Sequence, residues 1–336
     1  MDLDVTGVPQ LAATGTLPPA ATCTDLVADA YAHALRHREG SVADYIPALA
    51  SADPDAFGLS VIEVDGGVHE RGDTRQRFSI QSISKAFVYA LLCEAVGHEQ
   101  ALAVVGVNNS GLAFNSVVAI ELNDGHPMNP MVNAGALATT ALVPAADAAE
   151  RWSIIHDGLS RFAGRELSVD EAVYRSETQT NHRNAAIAQL LTSYGRIRED
   201  PAEVVDVYTR QCSLLVDAHD LAVMAATLAD GGVNPVTGAR VVTADVARDT
   251  LAVMAASGLY ENSGEWLFEV GLPGKSGVAG GLVSVAPGKA GIAAYAPPLD
   301  AAGNSVRGQI ATAYLSRALG LNIFASAPSP SWKDAR

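Results

Sequence analysis

Phe78-Ser79-Ile80-Gln81-Ser82-Ile83-Ser84-Lys85-Ala86-Phe87 is the stretch on which the reading of this chain turns. Its first residues read as the end of a β-strand. From Ile83 to Val96 the apolar Ile83, Phe87, Ala90 and Leu91 recur at helical spacing, and Gly97 supplies the stop. Ser82 and Lys85 stand three apart, so on that helix they share one face. A serine at a helix start has unpaired backbone amides beside it and the positive end of the helix dipole beneath it. These are the parts of an acyl-transfer site: a hydroxyl nucleophile, an amide for an oxyanion, and an amine one turn away. The same dipole disfavours a second positive charge, so a buried Lys85 is expected to tend towards the neutral form that can take the serine proton. Ser-x-x-Lys is a short motif, however, and a serine here is ordinarily an N-cap. Support has to come from the rest of the chain.

Working outward, the 336 residues are 49% hydrophobic and 18% charged, enough for a sizeable core in one large domain or two interleaved ones. A net charge of -15 argues against nucleic acid and anionic membranes as partners. Cys23, Cys93 and Cys212 are few, odd in number and far apart, which disfavours a disulfide framework or a zinc ribbon. No signal peptide or membrane span is visible, so a soluble cytoplasmic protein is expected.

Residues 1 to about 20 are rich in Thr, Pro, Gly and Ala and read as a loose arm. Thr22 is expected to cap a helix from Cys23 to about Arg36. Phe57–Val64 and Gly67–Glu70 read as strands joined by Asp65-Gly66-Gly67, with a third strand around Arg77–Ile80. Residues 98–255 are dominated by helical patterns, including about 146–163, 181–193, 201–211 and 219–228. After Gly264 strands return at Leu282–Ala286 and Gly291–Tyr295 across a Pro287-Gly288 turn, and a helix follows at about Asn304–Leu319. Strands at both ends with helices between predict an α/β domain built from both termini and carrying a helical insertion.

Gly274-Lys275-Ser276-Gly277 looks at first like part of a phosphate-binding loop. A Walker loop needs glycine five residues before Gly274, where this chain has Glu269, and strand residues follow instead of a helix. As a strand, Lys275-Ser276-Gly277 has another meaning. Penicillin-recognising serine hydrolases pair a helix-borne Ser-x-x-Lys with a later Lys-Thr/Ser-Gly strand that closes the site beside the serine. Here the order is the same.

The resemblance narrows further. Val42-Ala43-Asp44-Tyr45-Ile46-Pro47, Gln81-Ser82-x-x-Lys85, Asn129-Pro130-Met131-Val132-Asn133-Ala134-Gly135-Ala136, Ser176-Glu177 with Arg183-Asn184, Met224–Ala229, Gly274–Gly280 and Pro297-Pro298-Leu299-Asp300 together resemble the serine-dependent glutaminase family. The resemblance runs from about Thr24 to Phe324. It implies a β-lactamase-like serine hydrolase fold, an α+β arrangement in which helices flank an antiparallel sheet. It also implies hydrolysis of L-glutamine to L-glutamate and ammonia, without cofactor or metal. The domain organisation expected is an arm over 1–21, one catalytic domain over 22–325 and a disordered tail over 326–336. Within that domain the α/β part spans about 22–97 and 256–325, and the helical part about 98–255.

Family roles fall on matching residues. Ser82 is implied as nucleophile and Lys85 as its base, with Tyr45 and Tyr260 over the reacting centre and Tyr260 relaying a proton to departing ammonia. Asn133, Glu177, Asn184, Tyr208 and Val278 are implied to complete the glutamine pocket, together with Ser82 and Tyr260. The residue types suit the chemistry. An amide carbonyl needs oxyanion donors, for which the Ser82 and Val278 amides are candidates, and ammonia must leave protonated. Glu177 is a fitting partner for an α-ammonium, while neutral Asn133 and Asn184 are left to hold the α-carboxylate. Taken singly, each has a plainer reading: the tyrosines as packed aromatics, Glu177 as a helix-start carboxylate ahead of the 181–193 helix, Asn133 as a cap. His126 and His182 are read as structural or surface residues. Family members of this length imply a homo-oligomer, tetramer or dimer.

Two alternatives stay open on sequence. One is another penicillin-recognising hydrolase, a β-lactamase or peptidase, against which stands the absence of a Ser-Asp-Asn triplet. The other is a catalytically silent amino-acid-binding protein on the same scaffold.

Overall fold

The computed structural model describes residues 7–8 and 16–326. Of the arm and tail expected at the two ends, residues 1–6, 9–15 and 327–336 lie outside the described residues. The chain opens with α1 (Ala20–Ala34), β1 (Gly58–Glu63), β2 (Val68–Gly72) and β3 (Phe78–Ser79). The helical stretch contains α2 (Ser84–Val96), α3 (His98–Leu102), α4 (Val118–Glu121), α5 (Asn133–Leu142), α6 (Ala148–Ala163), β4 (Ser168–Val169), α7 (Glu171–Thr180), α8 (His182–Ser193), α9 (Pro201–Cys212), β5 (Leu214–Val216), α10 (Ala218–Ala229) and α11 (Ala244–Ser257). It closes with α12 (Ser263–Glu269), β6 (Gly274–Gly277), β7 (Gly281–Ala286), β8 (Ala290–Tyr295) and α13 (Val306–Ala318).

Strands from the two ends form one antiparallel sheet in the order β2-β1-β8-β7-β6. The link between the ends is the β1–β8 ladder, which pairs Gly58 with Tyr295 and Glu63 with Ala290. Both faces of the sheet are covered. Leu59, Val61, Leu282, Ile292 and Ala294 join a core with α1, α12 and α13, while Ile62, Val283, Val285, Ala293 and Tyr295 join a second core with α2 and α10. The period-two alternation of a strand sends neighbouring residues to opposite cores, and so β7 and β8 read as continuous apolar runs. Gly291 of β8 is where α10 comes closest: a Cβ there would lie 2.2 Å from the Ala222 carbonyl oxygen, so only glycine lets the helix sit down on the strand.

The third expected strand does not extend this sheet. Phe78–Ser79 pairs with β5 in a separate three-stranded sheet, β3-β5-β4, which delivers the chain into α2 from the side of the helical region. The helix expected to start at a Thr22 cap begins at Ala20 behind Pro19, whose fixed φ suits a helix start. A further helix, α7, has no counterpart in the apolar pattern because Val173 is its one fully buried residue, and of the rest only Tyr174, Ser176 and Glu177 are half-buried. α2 is the reverse case. Residues Ser84–Ala90, Leu92 and Cys93 are all buried, so it is a central helix packed against α5, α6 and α11, and its apolar residues run around the whole circumference. Among the described residues, no helix is long and apolar enough to cross a membrane.

Candidate active site

The site forms where the edge strand β6 meets the turn ahead of α2. Gln81 takes a left-handed φ of +52°, and Gln81–Ile83 make one turn of 3-10 helix that runs directly into α2. The Ser84 hydroxyl donates to the Gln81 carbonyl (2.8 Å) and fixes this turn. Ser82 is left half-buried at its apex. Lys85, one turn on, is completely enclosed. Its Nζ donates to the Met131 carbonyl (3.2 Å) and to Asn133 Oδ1 (2.6 Å), with the Phe114 ring 5.8 Å away. Burial pushes the ammonium down to about 8, against a small opposing influence of the neighbouring Cys212 thiol.

A second turn of the same build faces the first. Tyr260 has φ +57°, Tyr260–Asn262 form one 3-10 turn, and α12 follows at Ser263, whose hydroxyl donates to the Tyr260 carbonyl (2.8 Å). The phenol is buried, donates to the Ser276 carbonyl (3.3 Å) and is hydrogen-bonded with Ser82. Burial raises it to about 12, with the Ser82 and Ser276 hydrogen bonds pulling the other way. Its ring packs on Phe114, centroids 4.8 Å apart, and Lys275 Nζ sits 4.2 Å from its centroid.

β6 supplies the third side. Lys275 is fully buried and donates to the Ser276 carbonyl (2.9 Å), and Ser276 Oγ donates to Asn304 Oδ1 (2.5 Å). Burial and then the nearby Lys85 charge hold the Lys275 ammonium well below the usual lysine range. Gly277 lets the strand lie against the serine turn: a Cβ there would stand 3.0 Å from the Ile80 carbonyl oxygen and 3.3 Å from Gln81 Cβ. Val278 follows, buried, and with Tyr260 flanks Gly303.

The remaining wall is polar. Asn133 opens α5 behind Val132, and its side chain makes no cap. Its Oδ1 accepts from Lys85, and its Nδ2 donates to Asn184 Oδ1 (2.9 Å) in α8. Glu177 lies inside α7, so the reading of it as a helix-start carboxylate is corrected. Its Oε1 accepts from Gln81 Nε2 (2.6 Å), and burial raises the carboxyl to about 7 despite that bond. Tyr208 of α9 is buried, and burial together with Cys212 raises its phenol well above the usual value. Tyr45 is the outlier. It lies in the irregular segment before β1 with 58% of its surface exposed, yet close enough to Tyr260 and Glu177 that their charges bear on it.

With this geometry in place, comparison with known proteins adds a second line. Residues 40–324 match the glutaminase family. The chain belongs to that family. It is 51% identical over 322 residues to "Glutaminase 2" of Yersinia pestis, covering 96% of this chain and 95% of the relative. It is 50% identical over 296 residues to "Glutaminase" of Colwellia psychrerythraea, 88% of this chain and 95% of that one. Among solved structures, one described as a probable glutaminase, ybaS, superposes with a TM-score of 0.91 at 45% identity over 92% of this chain and all of that one. A structure of Mglu in its glutamate form gives 0.85 at 40% identity over 93% and 71%. The glutaminase fold expected from the sequence, an antiparallel sheet flanked by helices, is the fold observed.

Around the glutaminase site stand residues that sequence reasoning did not single out. Gln81 links the serine turn to Glu177 and also donates to Ser79 Oγ (3.0 Å). Phe114 touches both Lys85 and Tyr260 from a loop with no regular pattern, so no sequence signal pointed to it. Lys275 was visible, but only as one member of the Lys-Ser-Gly strand.

Proposed function

We propose that this chain is a glutaminase that hydrolyses L-glutamine to L-glutamate and ammonia through an acyl-enzyme on Ser82. The observation that carries this reading is the state of Lys85. A neutral amine has two hydrogens and one lone pair, and here Met131 O and Asn133 Oδ1 accept two hydrogens from an amine whose burial already favours neutrality. The lone pair is left for a proton, and Ser82 stands one helical turn away.

Ser82 Oγ attacks the side-chain amide carbon while Lys85 accepts its proton. The amides of Ser82 and Val278 stabilise the oxyanion. The Tyr260 phenol, hydrogen-bonded with Ser82, gives its proton to the departing nitrogen and is reprotonated by the proton Lys85 took from Ser82, so that the C–N bond breaks, ammonia leaves and Lys85 is neutral again. Water then attacks the ester, its proton returns through the same groups, and glutamate departs. Glu177 pairs with the α-ammonium. Because Asn133 donates to Asn184 Oδ1, the Asn184 amide hydrogens are turned outward for the α-carboxylate. Tyr208 walls the pocket and Tyr45 closes its rim. No metal or cofactor takes part in these steps.

The same reading treats residues 22–325 as one catalytic domain and the protein as a cytoplasmic homo-oligomer, tetramer or dimer; the free, buried state of Cys23, Cys93 and Cys212 supports a reducing compartment. The test is ammonia release from L-glutamine by purified protein, with L-asparagine and a chromogenic β-lactam in parallel. Release from glutamine alone is expected. β-Lactam turnover without glutamine turnover would move the chain to its wider relatives, and glutamine binding without any turnover would make it a silent binder.

A further inference from the structure

A cavity of roughly 330 Å³ lies at the far ends of α5 and α8, away from the serine site. These two helices carry the hydrogen-bonded residues Asn133 and Asn184 in their first turns and pack on each other, so the cavity is at the opposite end of the pair from the proposed substrate pocket. In a chain of net charge -15 its charged lining is Arg151, Arg196, Arg198 and Glu199, three cations to one anion. Glu199 is already committed. Its Oε1 accepts from buried Arg151 (3.1 Å), which also donates to the Val143 carbonyl (3.2 Å), and its Oε2 accepts from the Arg198 backbone amide (3.2 Å). That leaves two guanidinium groups with no carboxylate partner among the described residues. Arg198 is exposed. Arg196 has a single weak bond, to the Asp124 carbonyl at 3.5 Å, and its Nε is buried with no acceptor.

A buried donor with no acceptor destabilises the fold, and an acceptor supplied from the cavity would remove that cost. Guanidinium forks match carboxylate and phosphate oxygens in paired hydrogen bonds, and a second nearby arginine adds charge. The carbonyl ends of α5 and α8 oppose an anion, but the Val143 carbonyl is already occupied by Arg151. We propose that this cavity is a binding site for a small oxyanion, held by Arg196 and Arg198, with Arg151 and Glu199 as its fixed floor. The site is independent of the hydrolytic chemistry.

The experiment is calorimetric titration of the full chain at low ionic strength with inorganic phosphate and, separately, with malonate. Saturable binding of at least one of the two is expected, weakened tenfold or more in the double variant Arg196→Gln/Arg198→Gln. Tighter phosphate binding would assign the ligand to phosphoryl compounds, tighter malonate binding to dicarboxylates. Should the double variant fail to fold, Arg198→Gln alone, on an exposed side chain, carries the test with a smaller expected loss of about threefold. No binding by the wild type, or binding equally tight in the variant, overturns the proposal.

Discussion

The two turns that face each other across the site are built alike and used differently. Each begins with a non-glycine residue at positive φ, Gln81 or Tyr260, continues as one turn of 3-10 helix and passes straight into an α-helix. In each, the serine three residues on donates its hydroxyl to the carbonyl of the strained residue at 2.8 Å. A left-handed residue costs on the order of 1–3 kcal/mol and persists only where its surroundings over-determine it. At the first turn the strained residue points back at Glu177, and its neighbour is Ser82, the proposed nucleophile. At the second the strained residue itself reaches Ser82. In the proposed mechanism one backbone device therefore serves recognition on one side and chemistry on the other.

The largest effect tests the apex of the first turn. Ser82→Ala should lower glutamine turnover by at least about 10⁴-fold while glutamate still binds, measured by ammonia release and by titration with the product. Retained turnover would remove Ser82 from the mechanism.

The next pair breaks the comparison directly. Tyr260→Phe keeps the ring against Phe114 and Lys275 but loses the phenol, and kcat should fall about 10²–10³-fold with KM little changed. Gly at position 81 adopts positive φ without strain, so Gln81→Gly removes the side chain without disturbing the backbone. It deletes a hydrogen bond to a carboxylate, worth about 1.5–3 kcal/mol, so KM should rise about tenfold or more with kcat largely kept. If both variants changed only kcat, the division of labour between the turns would be wrong.

Sharpening comes from pH. In the proposed mechanism Glu177 must be ionised to hold an ammonium, and burial raises its carboxyl to about 7. Lys85 must be neutral to accept a proton, and burial lowers its ammonium to about 8. Both groups lose a proton as pH rises, so activity should climb from pH 6 to 9, with 1/KM passing half its maximum near 7 and kcat near 8. The Tyr260 phenol, held up to about 12, keeps its proton throughout. Glu177→Gln should abolish the first limb and leave the second.

The contrast between the turns also explains what could be read in advance. The first was legible because Ser82 and Lys85 stand three apart where a strand end gives way to a helix closed by Gly97, and that spacing alone puts them one turn apart across the 3-10 turn and the start of α2. The order of strand, helical region and strand followed from period and turn residues, and those govern the main sheet through local chemistry. The second turn was not legible from pattern. Tyr260 enters only through resemblance, because nothing local to Leu259-Tyr260-Glu261 requires positive φ; the requirement comes from packing against Phe114, Lys275 and Ser276. Glu177 was named but misplaced for a related reason, since α7 buries too little to show an apolar face. The Gln81–Glu177 contact spans 96 positions and leaves no trace in spacing.

The smallest expected effect asks whether the likeness of the turns extends to energetics. Ser84 Oγ also accepts from Gln211 Nε2 (3.3 Å), and Ser263 Oγ also accepts from the Leu259 backbone amide (3.1 Å). Alanine at either position therefore removes one donor from a strained carbonyl and leaves one buried donor unpaired. Each variant should lose about 1–3 kcal/mol, read as a drop of a few degrees in thermal midpoint. The kinetic consequences should divide as the turns do, Ser84→Ala raising KM and Ser263→Ala lowering kcat, each by a few-fold. An equal loss of stability with the same kinetic signature in both would mean that the serines only hold up the fold. Opposite signatures would mean that each hydroxyl transmits the geometry of its own turn to a different step.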